Sequence, residues 1–301
     1  MSRLRTLCLS ALFALSACSG GGPEGTAPKK EEAKAEAAKT APTVAAPAAE
    51  LPKAEALLAE VVEASGGAAK LDAIKSYRSE AKVEIVGMGI SGIGVGWWKD
   101  GDFYNEAELP GVGRITAGSK GGKPWTADPV QGLRALTGKE AEMALAASSL
   151  NLAHDWKRYF DKAETTKVEE VGGKKIADVK LSSAKAGHEI TLRIDLADKR
   201  VVGRTFKQPS PMGDMPVDEV LSDYREQDGV WFSFQQLADM KLQKMQTTTT
   251  KLELNPAGLD ESKFAMPGSE APPPDAKAPA DAKAPAPAKA PADAKAPAPA
   301  K

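Results

Sequence analysis

The pattern of apolar and polar positions changes its period once near the start of the region that can fold. Apolar side chains first recur with helical spacing and are followed by Gly66-Gly67, which predicts a helix that ends there. The apolar positions of this helix are Leu57, Leu58, Val61 and Val62. A second short helix is predicted over residues 68–75. After Ser76 the period becomes two, which predicts that strands follow.

The strands form two runs along the chain. In the first strand, Ala81, Val83 and Ile85 alternate with charged residues, as in a half-buried antiparallel strand. Further segments cover residues 90–99, 103–109 and 115–120, a short strand opening at Trp125, and then residues 168–171, 176–182, 190–196, 201–207, 217–225, 230–238 and 242–254. Asp228-Gly229 predicts a hairpin turn. Because no helices alternate with the strands within a run, the pattern predicts an antiparallel sheet in a mainly β, α+β chain.

A helical insertion is predicted between the two runs of strands. Thr137 and Glu140 have the spacing of a capping box, which marks the start of a helix. The apolar residues Leu136, Met143, Ala147 and Leu150 fall on one face of this helix. A further turn of helix over residues 154–160 presents Trp156 and Phe160.

The segment GMGISG, residues 87–92, matches the dinucleotide-binding pattern G-x-G-x-x-G. That pattern works because its glycines lead into a helix whose N-terminal amides bind the pyrophosphate. Here IGVGWWK follows and continues as a strand, so we interpret the match as coincidental. In strand register Gly92, Gly94 and Gly96 share one face. This bare face predicts close approach by a covering helix, relief of curvature in a strongly bent sheet, or contact with an aromatic ring or a ligand.

The N-terminus has the pattern of a bacterial secretory signal. Two arginines precede an apolar run over residues 7–15, which is too short to span a membrane. The run ends in LSAC, which resembles the lipobox of bacterial lipoproteins. The resemblance predicts removal of residues 1–17 and attachment of fatty acyl groups such as palmitate to Cys18, which would anchor the chain at a membrane. An ordinary signal with an incidental cysteine is the alternative. Because Ser19 follows Cys18, the resemblance to the sorting rule of diderm bacteria implies the periplasmic face of the outer membrane.

Low-complexity segments flank the predicted domain. Residues 18–50 carry the lipidated cysteine and then mostly Gly, Ala, Pro, Lys, Glu and Thr, which predicts a disordered linker. Residues 268–301 include APADAKAPAPAK twice in succession, which predicts a disordered, extended tail. The tail is a spacer, a weak contact with an anionic polymer such as the cell wall, or a segment without a specific role. Residues 51–267 remain as one domain.

Composition narrows the chemistry of this domain. The formal net charge of −1 gives no indication of nucleic acid as a partner. The two cysteines, Cys8 and Cys18, lie in the signal and at the anchor, so no disulfide is expected in the mature chain. Zinc-peptidase, nucleophile-elbow and phosphate-loop motifs are missing from the sequence. His154 and His188 are interpreted as surface or capping residues, and acidic residues such as Asp218 and Glu219 as a solvated strand face.

No catalytic residue, cofactor or metal site is therefore predicted, although an undetected hydrolase stays open as an alternative. Tryptophan and methionine residues near loops and helical insertions instead suit an adaptable apolar cavity. The alternative for each of them is an ordinary place in the core.

Four segments together resemble an outer-membrane lipoprotein-sorting-like family, which is related to the LolA/LolB carriers. They are GMGISGIG, ELPGVGRITAGSKGGKPWTADPVQGLRAL, DEVLSDYREQDGVWFSF and KLELN. Similar domains occur fused behind insulinase-type zinc peptidases, but no peptidase portion is present in this chain. The resemblance implies a curved, antiparallel, incomplete β-barrel whose apolar concave face is covered by N-terminal and inserted helices. In the carriers, acyl chains of a lipoprotein occupy the space between the sheet and the helices.

The resemblance implies a lipid- or lipoprotein-binding module that acts as an acceptor, carrier or chaperone, with lipid acyl chains or lipoproteins as partners. The residues expected to form an apolar cavity or its lid are Trp97, Trp125, Leu136, Met143, Leu150, Trp156, Phe160 and Trp231. A monomer is expected. The alternative is a non-catalytic envelope lipoprotein that docks a protein partner, such as a separately encoded peptidase.

Overall fold

The structure is a computed structural model that describes residues 50–211 and 213–269. The predicted signal peptide, Cys18, the linker up to residue 49 and the tail from residue 270 lie outside the described residues. Lipidation and these segment boundaries therefore stay predictions. In the described ranges, none of the helices combines the length and the hydrophobicity that crossing a bilayer requires.

The described chain contains four helices, thirteen strands and a short 3₁₀ helix. Two helices come first, α1 (Ala54–Ala64) and α2 (Ala68–Ala73). The first run of strands comprises β1 (Ser76–Ile85), β2 (Ile90–Lys99), β3 (Asp102–Leu109), β4 (Gly113–Lys120), β5 (Lys123–Asp128) and β6 (Gly132–Ala135). Helices α3 (Gly138–Ala147) and α4 (Leu152–Tyr159) are inserted next. The second run comprises β7 (Lys162–Val171), β8 (Lys174–Ser183), β9 (His188–Asp195), β10 (Arg200–Gln208), β11 (Met215–Gln227), β12 (Val230–Asp239) and β13 (Lys244–Leu254), and the 3₁₀ helix covers Glu261–Phe264.

All thirteen strands belong to one antiparallel sheet. Their order is β6-β5-β4-β3-β2-β1-β13-β12-β11-β10-β9-β8-β7, so the two runs meet where β1 pairs with β13. Tyr77 lies opposite Leu254 in that pairing, which joins residues far apart in sequence. The edge strands β6 and β7 are not paired with each other, so the sheet does not close. The predicted α+β fold class with an open antiparallel sheet is confirmed.

Helices α1, α3 and α4 cover one face of this sheet, which we call the inner face. Their buried apolar residues form a single core with alternate residues of the strands. Leu57, Leu58 and Val61 of α1 are each at most 2 % exposed, as their helical spacing predicts. On β9, Ile190 and Leu192 point to the same core. The hydrophobic stripe of the helices and the period-two stripe of the strands therefore bury each other.

The end of α1 is fitted closely to the β11–β12 hairpin. Gly66 has a φ of 124°, and a Cβ there would lie 2.4 Å from the carbonyl oxygen of Gly229. The backbone N–H of Trp231 donates a hydrogen bond of 2.8 Å to the carbonyl oxygen of Ser65. Glycine is thus required at position 66 both for its backbone conformation and for this contact.

Two local predictions are wrong. Thr137 precedes α3, but its side chain makes no capping hydrogen bond. Glu140 instead accepts hydrogen bonds from Arg134 of β6, at 2.8 Å from Nη1 and 2.5 Å from Nη2. A two-pronged guanidinium–carboxylate contact joins two opposite charges through two hydrogen bonds, so it competes with the single carboxylate–amide contact of a capping box and draws Glu140 away from the helix start.

The glycines of β2 are also not covered by a helix. A Cβ on Gly92 would lie 1.8 Å from the carbonyl oxygen of Glu108, and one on Gly94 would lie 3.0 Å from Cγ2 of Val83. These neighbours belong to the adjacent strands β3 and β1. The bare stripe therefore lets the neighbouring strands approach closely, whereas a covering helix was one of the predicted alternatives.

Candidate functional site: a recess on the inner face

A recess, which we call the inner recess, opens between α1, residues 148–153 and the inner face of β9–β13. Residues 148–151 link α3 to α4 and residues 152–153 begin α4, and we call 148–153 together the α3–α4 connection. The inner recess measures about 970 Å³ including the space at its mouth. Most of its wall is apolar, formed by Val61, Leu150, Leu152, Ala153, Leu192, Val201, Leu221, Trp231, Phe232 and Leu252. Serines, Asn151, two tyrosines and two arginines complete the lining.

The α3–α4 connection forms one wall of the recess, and its Asn151 caps the start of α4. The Asn151 side chain accepts a hydrogen bond of 3.2 Å from the backbone N–H of His154, which starts α4. Leu150 and Leu152 flank this cap and both line the recess. Asn151 therefore satisfies the start of α4, while Leu150 and Leu152 on either side of it contribute apolar surface to the recess.

Charged side chains lie on the inner face beside this apolar wall. Arg204 of β10 and Glu219 of β11 are cross-strand partners, and Nε of Arg204 donates a hydrogen bond to Oε2 of Glu219. Arg204 is 6 % exposed and Glu219 is fully buried. In the described part of the chain, Nη2 of Arg204 and Oε1 of Glu219 have no hydrogen-bond partner. The ion pair is neutral as a whole, and Arg204 is the member of the pair that lines the recess.

Arg200 is held near the recess by three contacts. Its Nη1 donates a hydrogen bond of 2.7 Å to the carbonyl oxygen of Ala64, the last residue of α1. Its guanidinium lies 4.3 Å from the ring centre of Trp231 and 5.5 Å from that of Tyr224. Burial lowers the pKa of Arg200 because the charged form loses hydration. The guanidinium is therefore fixed in place and partly desolvated.

The structure separates the residues that were expected to form the cavity or its lid. Leu150 and Trp231 line the inner recess, and Leu136 lines a second, smaller recess between α3 and β3–β6. Met143, Trp156 and Phe160 are buried in the main core, at 1 %, 7 % and 3 % exposure. Trp97 and Trp125 lie in a separate apolar cluster with Tyr104 and Phe264. The part that each plays in ligand binding stays a prediction.

The separate cluster lies on the outer face of the sheet and is closed by the chain after β13. Trp125 donates a hydrogen bond of 2.8 Å from Nε1 to the carbonyl oxygen of Phe264. The Trp125 ring lies over Gly118, where a Cβ would be 2.7 Å from the ring. Trp97 and Tyr104 are in ring contact at 5.6 Å between centroids. These two tryptophans thus attach the end of the domain to the sheet.

The histidines do not form a recognisable catalytic site. Ser149 Oγ donates a hydrogen bond of 2.7 Å to Oδ2 of Asp155, and His154 Nδ1 lies 2.8 Å from the other oxygen of that carboxylate. Because the carboxylate separates the serine from the imidazole, His154 is not placed to take the proton of Ser149. Within residues 50–211 and 213–269, no cluster of three or more potential metal ligands is present.

Two interpretations of polar residues are corrected. His188 is not at the surface but is 7 % exposed, because it packs edge-on against Phe160 at 5.1 Å between ring centroids. Burial lowers the pKa of His188. Glu219 is not on a solvated face. Alternate residues of β11 point to the same side of the sheet, so Glu219 points inward like the buried Val217, whereas Val220 is 45 % exposed.

Sequence reasoning missed Arg200, Arg204 and Glu219. A signal for the pair was present, since strict alternation from Val217 and from Phe206 places Glu219 and Arg204 on the inward side. Arg200 has no comparable signal, because its role depends on the position of α1, more than a hundred residues away.

Comparison with known proteins places the chain among remote structural relatives. No protein-family model and no curated protein matches it. Similar solved structures include a DUF1329 family protein from Desulfovibrio piger, at 13% identity and a TM-score of 0.49, covering 71% of this chain and 98% of that one. A LolA superfamily protein from Nitrosomonas europaea is 12% identical with a TM-score of 0.46, covering 71% of this chain and 98% of its own. A putative outer membrane lipoprotein-sorting protein domain from Vibrio parahaemolyticus is 11% identical with a TM-score of 0.47, covering 70% and 95%.

The relatives from Nitrosomonas europaea and Vibrio parahaemolyticus bear the family names that the sequence resemblance indicates, and neither name mentions an insulinase-type peptidase. The TM-scores of all three relatives lie below 0.5. The function of this chain is therefore inferred from its inner recess and not from these relatives.

Proposed function

We propose that residues 51–267 form a non-enzymatic module that binds lipid or lipoprotein acyl chains in the inner recess. The observation that carries this proposal is the apolar wall between the sheet and the helices. Each methylene group that moves from water into such a wall contributes about 0.8 kcal/mol. An apolar wall therefore offers affinity for an alkyl chain without any chemical step.

The proposed module is attached to the outer membrane through acylated Cys18 and acts in the periplasm as an acceptor, carrier or chaperone. The inserted helices α3 and α4 are the proposed lid, and the α3–α4 connection is the part of them that lines the recess. A protein partner and a monomeric state remain predictions. Light scattering of the purified domain tests the monomer.

Native mass spectrometry after gentle extraction tests lipid binding directly. We expect adducts with the masses of acyl lipids, and displacement of a fluorescent acyl probe by added lipid. A protein that is consistently empty and also binds no acyl probe would contradict the proposal.

A substitution in the lid tests the site. Leu150→Asp places a carboxylate in the apolar wall, and we expect probe affinity to fall by about tenfold or more because burying an unpaired charge is costly. Leu242→Asp is the matched control, since Leu242 is 90 % exposed and lies outside the recess. Equal affinities of the two variants would exclude this recess as the binding site.

A further inference from the structure

The charges around the inner recess are unequal. Among the described residues that line it, the charged side chains are Arg200 and Arg204. Glu219 compensates Arg204 through the buried ion pair. Arg200 forms no ion pair with any residue of the described ranges, and its contacts are the Ala64 carbonyl and two aromatic rings. Asp198 acts on the Arg200 charge from beyond ion-pair distance, so the guanidinium at the recess has no directly bonded counter-charge.

The position of Arg200 is already fixed before any ligand arrives. The hydrogen bond to Ala64 and the stacking over Trp231 hold the guanidinium, so little side-chain entropy is lost on binding. A guanidinium has five N–H donors, and one of its nitrogens is used by Ala64. The remaining donors match the oxygens of a carboxylate or phosphate.

The apolar wall and the Arg200 charge meet in one recess. Leu150, Leu192 and Leu252 offer contact to an alkyl chain, and Arg200 lines the same space. The buried Arg204 guanidinium, with its unpartnered Nη2, adds a second donor group on the same strand. None of the described lining residues has an acidic side chain, which would repel an anion.

We propose that the inner recess selects amphiphiles with a single anionic head group, a carboxylate or a phosphate monoester, which Arg200 binds while the alkyl chain lies along the apolar wall. This inference rests on the proposed function and specifies its ligand class. A neutral lipid of the same chain length leaves the Arg200 charge unpaired and binds more weakly. Arg200 also satisfies a terminal carbonyl of α1, and a purely structural role would give no preference between head groups.

The test compares three amphiphiles with the same alkyl chain on the full-length mature protein. Decanoate, decyl phosphate and decanol each compete with a neutral phenylnaphthylamine probe at neutral pH. We expect the two anions to bind about tenfold tighter than decanol, which corresponds to one charge-assisted hydrogen-bonded contact. Inorganic phosphate and acetate alone are expected to bind on the order of a hundredfold more weakly than decyl phosphate, because they lack the chain.

Arg200→Gln removes the charge and keeps an amide donor for the Ala64 carbonyl. We expect this variant to lose the preference, so that the two anions bind no more tightly than decanol. Lys199→Gln is the matched control, because it removes a neighbouring positive charge that pairs with Glu60 and does not line the recess. This control is expected to keep the preference.

The outcomes separate the two proposals. Equal binding of all three amphiphiles by the unaltered protein would overturn the inference and leave the proposed function standing. Binding of none of them would overturn both. A preference that survives in Arg200→Gln would remove Arg200 from the head-group site, and binding of inorganic phosphate as tight as that of decyl phosphate would show an anion site instead of an amphiphile site. The comparison in the unaltered protein decides even if the variant fails to fold.

Discussion

At the scale of single residues, the buried ion pair between Arg204 and Glu219 is expected to have a large effect on stability. Glu219→Ala would leave the Arg204 guanidinium buried without a counter-charge, so we expect the free energy of unfolding to fall by about 3–5 kcal/mol. Urea unfolding followed by circular dichroism measures this loss.

Two further variants show whether the charge itself is responsible. The exposed pair of Lys251 and Glu253 is the control, and Glu253→Ala is expected to cost about 1 kcal/mol or less. The double variant Arg204→Met with Glu219→Leu removes both charges and should recover most of the loss. A double variant as unstable as Glu219→Ala would contradict this explanation.

His188 gives the fold a dependence on pH that can be predicted in sign. Burial lowers the pKa of His188 below its ordinary value of 6.5, an effect that Lys139 reinforces and that Glu142 and Asp161 oppose. Below about pH 6.5 the unfolded chain therefore binds a proton that the folded chain does not. We expect stability to fall as the pH decreases through 6.5 and to level off below the folded-state pKa.

The measurement for this prediction is the free energy of unfolding as a function of pH. His188→Phe keeps an aromatic ring against Phe160 and removes the titration, so its slope between neutral and mildly acidic pH should be smaller. Identical slopes for the variant and the unaltered protein would show that His188 is not the responsible group.

At the scale of elements, the short 3₁₀ helix after β13 is expected to stabilise the whole sheet. Phe264 is 2 % exposed in the outer cluster, and its carbonyl accepts the hydrogen bond from Trp125. Phe264→Ala should lower the free energy of unfolding by about 3–5 kcal/mol because it leaves a cavity between two aromatic rings. Removal of residues 270–301 is the control and should leave that free energy unchanged, since these residues lie outside the unit that ends at Pro267.

The helices and strands could be predicted from the sequence wherever they contain enough repeats of their apolar pattern. Strand β2 matches its predicted limits, and β7 begins at Lys162, ahead of the predicted segment. The four-residue strand β6 and the 3₁₀ helix were missed because neither completes enough periods to give a signal. The position of the recess could be expected only from the family resemblance. Its charged residues could not be predicted, because their positions depend on contacts between distant elements, such as Arg200 with Ala64.

At the scale of the whole molecule, the order of the strands predicts how stability is distributed. The centre of the sheet is the pairing of β1 with β13, whereas β6 and β7 lie at its edges. Strand β1 is paired with β2 on one side and β13 on the other, and β13 is also paired with β12 over residues 244–248, whereas residues of β6 and β7 are largely exposed. Amide hydrogen exchange should therefore be slowest in β1 and β13 and fastest in β6. Exchange that is slowest at the edges would contradict this order.

The same measurement locates the moving part of the proposed binding module. If α3 and α4 are a lid, residues 148–153 of the α3–α4 connection must open to admit an alkyl chain, so their amides should exchange quickly in the free protein. Saturation with decyl phosphate should slow exchange there and at the end of α1, where Arg200 contacts Ala64, while β1 and β13 stay unchanged. Protection that appears instead on the outer face, around Trp97 and Trp125, would move the binding site to the other side of the sheet.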